Sequence, residues 1–412
     1  MKQKLLEKYY GYKFLKKEQN EIIDLILQKK DCIGVLPTGF GKSVTFQIPA
    51  LMIDGVTLVI TPLISLMQDQ AFNLKNKGIK AEFINSSLDI KAQESIYKSL
   101  INGNIKILYV SAERLLNKYF KEIIKKVKVS LIVCDEAHTL LWSEDFRIAL
   151  AHIPDFISYL GYRPVHLALT ATATLNTLAK IKKYLNLSNP NIVIGNCDRD
   201  NIFYRVIKNQ NKLNSLIQYT SKYNDELGII YCLTIKSCNY VYDYLKSFGF
   251  NVGIYHGAMD SDEKKKAQMC FTNGIIKIMV STNAFGMGID IPNIRYIILY
   301  EMPICIEDYI QQIGRASRDG KYAEAVLLYD TNDIKTLNYF IENIEPNDRS
   351  NNEIRKIKND KYLKLDKMIE FGLTNKCLHQ FVANYFNQKH KGKCMMCSNC
   401  KKNRHLNWCL FL

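Results

Sequence analysis

No stretch of the 412-residue chain approaches the ~20 consecutive apolar positions that a membrane-crossing helix needs. The beginning, Met1 to Phe14, is basic but lacks the apolar stretch of an export signal. A soluble, intracellular protein without a membrane partner is therefore expected. Internal repeats and low-complexity linkers are also missing, which excludes a solenoid. Acidic residues are in deficit: 40 Asp and Glu face 56 Lys and Arg, a formal net charge of +16. A polyanion is the natural partner, and nucleic acid is the first candidate. The excess equally suits the Lys- and Asn-rich usage of an AT-rich genome, so charge alone does not decide. Of twelve cysteines, eight are scattered singly, several inside apolar runs, such as Cys32, Cys134, Cys232 and Cys270. They read as small core residues in a reducing compartment.

From about residue 20 to 335, short β-rich apolar runs alternate with helical patterns. Strands are expected at Asp31–Leu36, Thr57–Thr61, Lys106–Val110, Leu131–Cys134 and His166–Leu169, with helices such as Leu63–Lys77 and Asp89–Asn102 between them. This alternation predicts a parallel sheet covered by helices. It restarts at Gly228–Cys232, Asn251–Tyr255, Ile276–Ser281, Tyr296–Tyr300 and Ala325–Tyr329, with a join near Ile194–Val206. A third, helical segment ends in a cysteine cluster.

Leu36-Pro37-Thr38-Gly39-Phe40-Gly41-Lys42-Ser43 sits between a strand and a helix. Gly39 and Gly41 permit positive φ, so successive N–H groups can form an anion nest at the helix N-terminus. Lys42 suits β- and γ-phosphates, and the Ser43 hydroxyl suits Mg²⁺. The first glycine of the strict phosphate-loop pattern is replaced by Leu36. Asp135-Glu136-Ala137-His138 follows the apolar strand Leu131–Cys134. Adjacent carboxylates there suit a divalent cation, with Asp135 holding Mg²⁺ and Glu136 polarising the attacking water.

Together these segments resemble superfamily 2 helicases, and further segments resemble the RecQ family. Gly11-Tyr12 to Gln19 is similar to the family's adenine-reading motif, with Lys16 in place of its arginine. Thr61–Gln70 and Tyr109–Leu116 resemble its strand-tracking motifs, and Leu169–Ala173 its coupling motif. Ser281–Asp290 and Gln311–Gly320 match its second-domain motifs. The resemblance reaches Cys400. It implies nucleotide contacts at Tyr12, Gln19, Thr38, Gly39, Gly41, Lys42, Ser43, Gly288 and Asp290. It also implies catalytic roles for Lys42, Asp135, Glu136, Gln311, Arg315 and Arg318. Arg315 and Arg318, three apart on an expected helix, would share one face. Their planar guanidinium groups suit the charge on γ-phosphoryl oxygens at the transition state.

Trp142, Phe146 and Arg147 follow the acidic motif. Bases stack on such rings without sequence reading, for roughly 1–3 kcal/mol each. The family resemblance implies a DNA sensor here. The segment departs from the family's pattern: it is one residue shorter, with Ser143-Glu144 and Ile148 at altered positions. Ile235 and Lys264 also replace usual arginines. Sixteen residues separate Cys377 from Cys394, which with Cys397 and Cys400 completes four thiolates for a structural Zn²⁺. His379 and Cys409 are left out of that set.

The implied fold is α/β: two tandem RecA-like domains, 1–200 (ATP-binding) and 201–334, whose parallel sheets carry helices on both faces. A helical zinc-binding module, 335–412, follows. The implied function is an ATP-dependent DNA helicase or translocase moving 3′ to 5′ on single-stranded DNA in recombination and repair. Its cofactors are ATP, Mg²⁺ and Zn²⁺. Its partners are single-stranded, duplex and forked DNA, with single-stranded-DNA-binding and repair proteins as further candidates. A monomer is expected, cytoplasmic and nucleoid-associated in a bacterium or nuclear in a eukaryote. The rival readings are an RNA helicase, a translocase or annealing factor that does not unwind, and a zinc scaffold with a dead motor. The chain stops at Leu412 without the family's winged helix, which puts processive unwinding in doubt, and the apolar ending Leu406–Leu412 suits either a truncated gene product or a docking segment for a partner.

Overall fold

The computed structural model describes residues 1–62, 64–85, 88–138, 152–187, 189–196, 198–208, 211–286, 291–345, 350–390, 392 and 394–401. The chain divides into two compact units, Met1–Cys197 and Asp198–Leu412.

The first unit is built on seven parallel strands: β1 (Cys32–Val35), β2 (Val56–Ile60), β3 (Ala81–Ile84), β4 (Ile107–Val110), β5 (Val129–Cys134), β6 (Val165–Thr170) and β7 (Asn191–Ile194). Their order across the sheet is β3-β4-β2-β5-β6-β1-β7. The central strands are buried throughout, because helices cover both faces and leave no polar side to write as alternation. Two apolar clusters, one on each face, hold the layers together. Side-chain caps set several helix starts: Asp89 accepts from Ala92 N (2.7 Å) at the head of Ile90–Ile101, and Thr174 from Thr177 N (3.2 Å) at Leu175–Tyr184. All five strands expected in this half are present, and so are helices Ile64–Asn76 and Ile90–Ile101. Two short strands escape sequence reading. Glu82 interrupts the apolar character of β3, and only Val193 of β7 is buried.

The second unit carries β8 (Ile202–Lys208), β9 (Leu227–Tyr231), β10 (Val252–Tyr255), β11 (Ile278–Ser281), β12 (Ile294–Leu299) and β13 (Ala323–Tyr329), in the order β10-β11-β9-β12-β13-β8, again all parallel. The stretch expected to be a plain join thus holds β8, paired with β13 along its whole length. Helices Thr331–Glu342, Asn351–Leu373 and Leu378–Tyr385 follow and pack against helices Lys212–Lys222 and Ile306–Ile313 of this unit. Lys212 clamps Asp333 at 2.7 and 2.8 Å, Tyr309 and Phe371 rings lie 4.8 Å apart, and Tyr385 donates to Glu307 (2.9 Å). Tyr204 N of β8 donates to Met396 O (2.9 Å), which joins the cysteine loop to the sheet. Among the described residues, no helix is long and apolar enough to cross a membrane.

Candidate functional site

The phosphate loop follows β1 and runs into helix Val44–Met52. Gly39 and Gly41 take φ of +77° and +84°, the left-handed geometry that turns N–H groups inward. Gly41 is also crowded: a Cβ there would lie 2.7 Å from Gln19 Nε2. Gln19 donates to Phe40 O (2.9 Å) and Gly41 O (3.2 Å), while its Oε1 accepts from Lys16 N (2.9 Å). The adenine-motif glutamine therefore braces the loop backbone. Lys16 Nζ stands 4.1 Å over the Phe40 ring, while Tyr12 is largely exposed.

Lys42 Nζ lies 3.1 Å from Glu136 Oε1, spanning from the phosphate loop to the acidic motif. Asp135 and Glu136 stand at the C-terminal end of β5, where open parallel sheets bind ligands. Glu136 adopts φ +49°, and its N–H donates to Asp135 Oδ1 (2.9 Å). Burial, then the neighbouring Glu136 charge, raises Asp135 to about 6, against the lowering pull of Lys42. A buried carboxylate beside a second one is a fitting ligand for a divalent cation. Ser43 Oγ accepts from Gln70 Nε2 (3.4 Å), and Tyr109 OH donates to Gln70 Oε1 (3.1 Å). Gln70 therefore bridges the Ser43 hydroxyl to Tyr109.

Strand β6 lies between β1 and β5 and ends at Thr170, so the coupling motif sits between the phosphate loop and the carboxylates. Thr170 Oγ1 donates to Thr172 O (2.8 Å) and is 2.9 Å from His138 Nδ1. One hydroxyl has one proton, so His138 Nδ1 carries the other proton and donates to Thr170. His138 Nδ1 is also 3.4 Å from Glu136 Oε2. Glu136 thus lies between Lys42 and the His138 ring, and His138 in turn is hydrogen-bonded to Thr170.

In the second unit the helix Ile306–Ile313 ends before the arginines, so Arg315 and Arg318 do not share a helical face. Ser317 at φ +47° turns the chain between them. Arg315 is buried and donates to Gly286 O, and Gln312 donates to Asn283 Oδ1. The two second-domain motifs thus converge, with Gln311 half-buried alongside. An ion pair from Arg295 holds Asp319 at about 2. Arg199 and Asn201, which sequence reading passed over, bind the backbone between the two arginines.

The Sγ atoms of Cys377, Cys394, Cys397 and Cys400 all lie within 4.8 Å of one another. The Cys377–Cys394, Cys394–Cys400 and Cys377–Cys397 separations are 3.4, 3.9 and 4.0 Å. A tetrahedron with ~2.3 Å zinc–sulfur bonds has edges of about 3.8 Å, so the four sulfurs fit Zn²⁺. Cys377 is the residue before helix Leu378–Tyr385 rather than within it, and Cys400 lies in a last helical turn. His379 turns away from the sulfurs and pairs with Asp198. Trp142, Phe146, Arg147, Gly288, Asp290 and the ending Leu406–Leu412 lie outside the described residues.

A family model described as DEAD/DEAH box helicase matches residues 16–181, the helicase conserved C-terminal domain matches 211–320, and RecQ zinc-binding matches 331–401. The chain is 37% identical over 407 residues to the ATP-dependent DNA helicase RecQ of Bacillus subtilis, covering 98% of this chain and 67% of that protein. It is 35% identical over 397 residues to RecQ of Pasteurella multocida, covering 96% and 61%. The chain thus spans roughly two thirds or less of the length of these relatives. Among solved structures, helicase MrfA bound to DNA aligns with a TM-score of 0.68 at 17% identity, covering 80% of this chain and 51% of that one. S. cerevisiae Dbp5 bound to RNA and ADP BeF3 aligns with a TM-score of 0.64 at 19% identity, covering 88% and 97%. These two likenesses are of fold, and the sequence relatives with the zinc-binding match go further: the chain belongs to the RecQ family of ATP-dependent DNA helicases.

Proposed function

We propose that this chain hydrolyses ATP to move 3′ to 5′ along single-stranded DNA and to open duplexes during recombination and repair. The observation that carries the reading is the convergence of three motifs in one unit: Lys42 pairs with Glu136, and Glu136 lies 3.4 Å from His138, which is hydrogen-bonded to Thr170.

Lys42 and Glu136 neutralise each other in this structure. An arriving triphosphate competes for Lys42, and the released Glu136 carboxylate then orients the attacking water and takes its proton. Ser43 and Asp135 would hold Mg²⁺, which offsets negative charge on the β- and γ-phosphate oxygens. Thr38, Gly39 and Gly41 supply the nest, with Tyr12 and Gln19 on the adenine side. Arg318 is assigned to the γ-phosphoryl oxygens. Gln311 and Arg315, the latter donating to Gly286 O, are assigned to the same step, and Gly288 and Asp290 to nucleotide contacts. Trp142, Phe146 and Arg147 are assigned to DNA sensing. Residues 1–200 and 201–334 serve as the two motor domains, and 335–412 as the zinc module, whose four cysteines hold a structural ion. Bound DNA is single-stranded or forked and is held largely through phosphates, so affinity falls with salt. Single-stranded-DNA-binding and repair proteins are proposed partners of a monomer. Its place is with the DNA: the nucleoid of a bacterium or the nucleus of a eukaryote.

The test is ATPase activity with no nucleic acid, single-stranded DNA, duplex DNA and RNA, paired with strand displacement. Stimulation by DNA above RNA, with displacement, is the expected result. Greater stimulation by RNA would make it an RNA helicase. Hydrolysis without displacement would make it a translocase or annealing factor.

A further inference from the structure

We propose that Arg199 and Asn201 are positioning residues for ATP hydrolysis, fixing the peptide that presents Arg318. The inference rests on the assignment of Arg318 to the γ-phosphoryl group. The N-terminal ends of β8, β12 and β13 meet at Ser317. Asn201 leads into β8, Lys321 leads into β13, and Ser317 N donates to Ile294 O (2.9 Å) at the start of β12. Arg199 Nη2 donates to Ser317 O (2.8 Å) and Ala316 O (3.3 Å), and its Nε donates to Asn201 Oδ1 (3.2 Å). Asn201 Nδ2 contacts Ser317 O (3.2 Å), Ser317 Oγ (3.1 Å) and Lys321 O (2.9 Å).

Ser317 is a non-glycine residue at φ +47°, a conformation that persists only where surroundings over-determine it and that clusters at functional sites. Its carbonyl belongs to the planar peptide that also contains Arg318 N and Cα. Aiming that oxygen therefore fixes the N–Cα bond of Arg318 and leaves its φ as the one backbone angle that sets the departure of the side chain. The bracing segment is itself anchored one residue earlier. Asp198 pairs with His379 and lies 3.3 Å from His390 Nε2, and His379 Nε2 is 3.0 Å from Met396 O beside the cysteines. Asp198, Arg199 and Asn201 thus tie the arginine turn to the cysteine module. Their contacts to the turn lie within the second unit.

A positioning role separates binding from chemistry. In full-length protein, Arg199→Ala and Asn201→Ala should each lower kcat by about 10–100-fold, with KM for ATP changed less than about threefold. They should lose the tight binding of ADP with aluminium fluoride, a transition-state mimic, while ADP affinity and zinc content stay. Arg199→Lys, which keeps one donor toward Ser317 O, should recover part of the loss. Arg318→Ala is the control. If Arg318→Ala keeps both kcat and the mimic, the assignment of Arg318 fails and this inference with it. If Arg318→Ala loses both while Arg199→Ala and Asn201→Ala keep them, this inference alone is overturned. Equal loss of ADP and mimic binding in the Arg199 and Asn201 variants, with a lowered Tm, also overturns it and leaves a structural role.

Discussion

Lys42 Nζ and Glu136 Oε1 stand 3.1 Å apart, so the lysine of the glycine loop and a carboxylate of the acidic motif neutralise each other. Lys42→Ala removes the only phosphate-directed side chain of the loop with a full positive charge. Hydrolysis should fall roughly 10²-fold or more, while single-stranded DNA binding stays measurable by fluorescence anisotropy. Retained hydrolysis would contradict the phosphate role.

Asp135 gives a pH dependence. Its folded value, about 6, lies above the ordinary 3.8, so the metal-free fold prefers the protonated acid. In this raised-pKa case the penalty is absent below about 3.8, grows between 3.8 and 6, and is complete above 6. Asp135→Asn should therefore raise the Tm of the metal-free protein above pH 6 and leave it unchanged near pH 4. Mg²⁺ competes with that proton, so Mg²⁺-dependent nucleotide affinity should weaken as pH drops through 6. A flat affinity between pH 5 and 8 would remove Asp135 as the ligand.

Thr170→Val keeps shape but deletes the hydroxyl that receives His138 Nδ1–H and donates to Thr172 O. DNA-stimulated kcat should drop about tenfold, the equivalent of one hydrogen bond, with ATP affinity intact. Unchanged stimulation by DNA would mean that the contact with His138 carries no coupling.

Cys397→Ser should abolish zinc binding, measured by metal analysis, and lower Tm. Structural zinc supplies roughly 10–16 kcal/mol of apparent binding energy, comparable with the stability of a domain. A zinc-free variant with unchanged Tm would refute the structural role.

What could be read from sequence was whatever is contiguous. The phosphate loop and Asp135-Glu136 each occupy one strand–loop junction, and their partners follow from the fold that such junctions imply. The cysteines are betrayed by spacing, although Cys377 needs a helix start to bring it back to Cys397. The arginine pair was misplaced because i, i+3 spacing assumes a continuing helix, whereas Ser317 turns left-handed after Ile313 ends it. Arg199 and Asn201 left no signal, because their targets are backbone carbonyls more than a hundred residues away. No residue type marks an acceptor of that kind. Strand β7 was equally hidden, since three of its four residues face outward.

The bond from Tyr204 N to Met396 O has a further consequence. Strand β8 is the outermost of its sheet, and the cysteine loop occupies the flank that would otherwise offer free ladder groups to another chain. The four cysteines that gather this loop therefore also place a cover on the edge of the sheet.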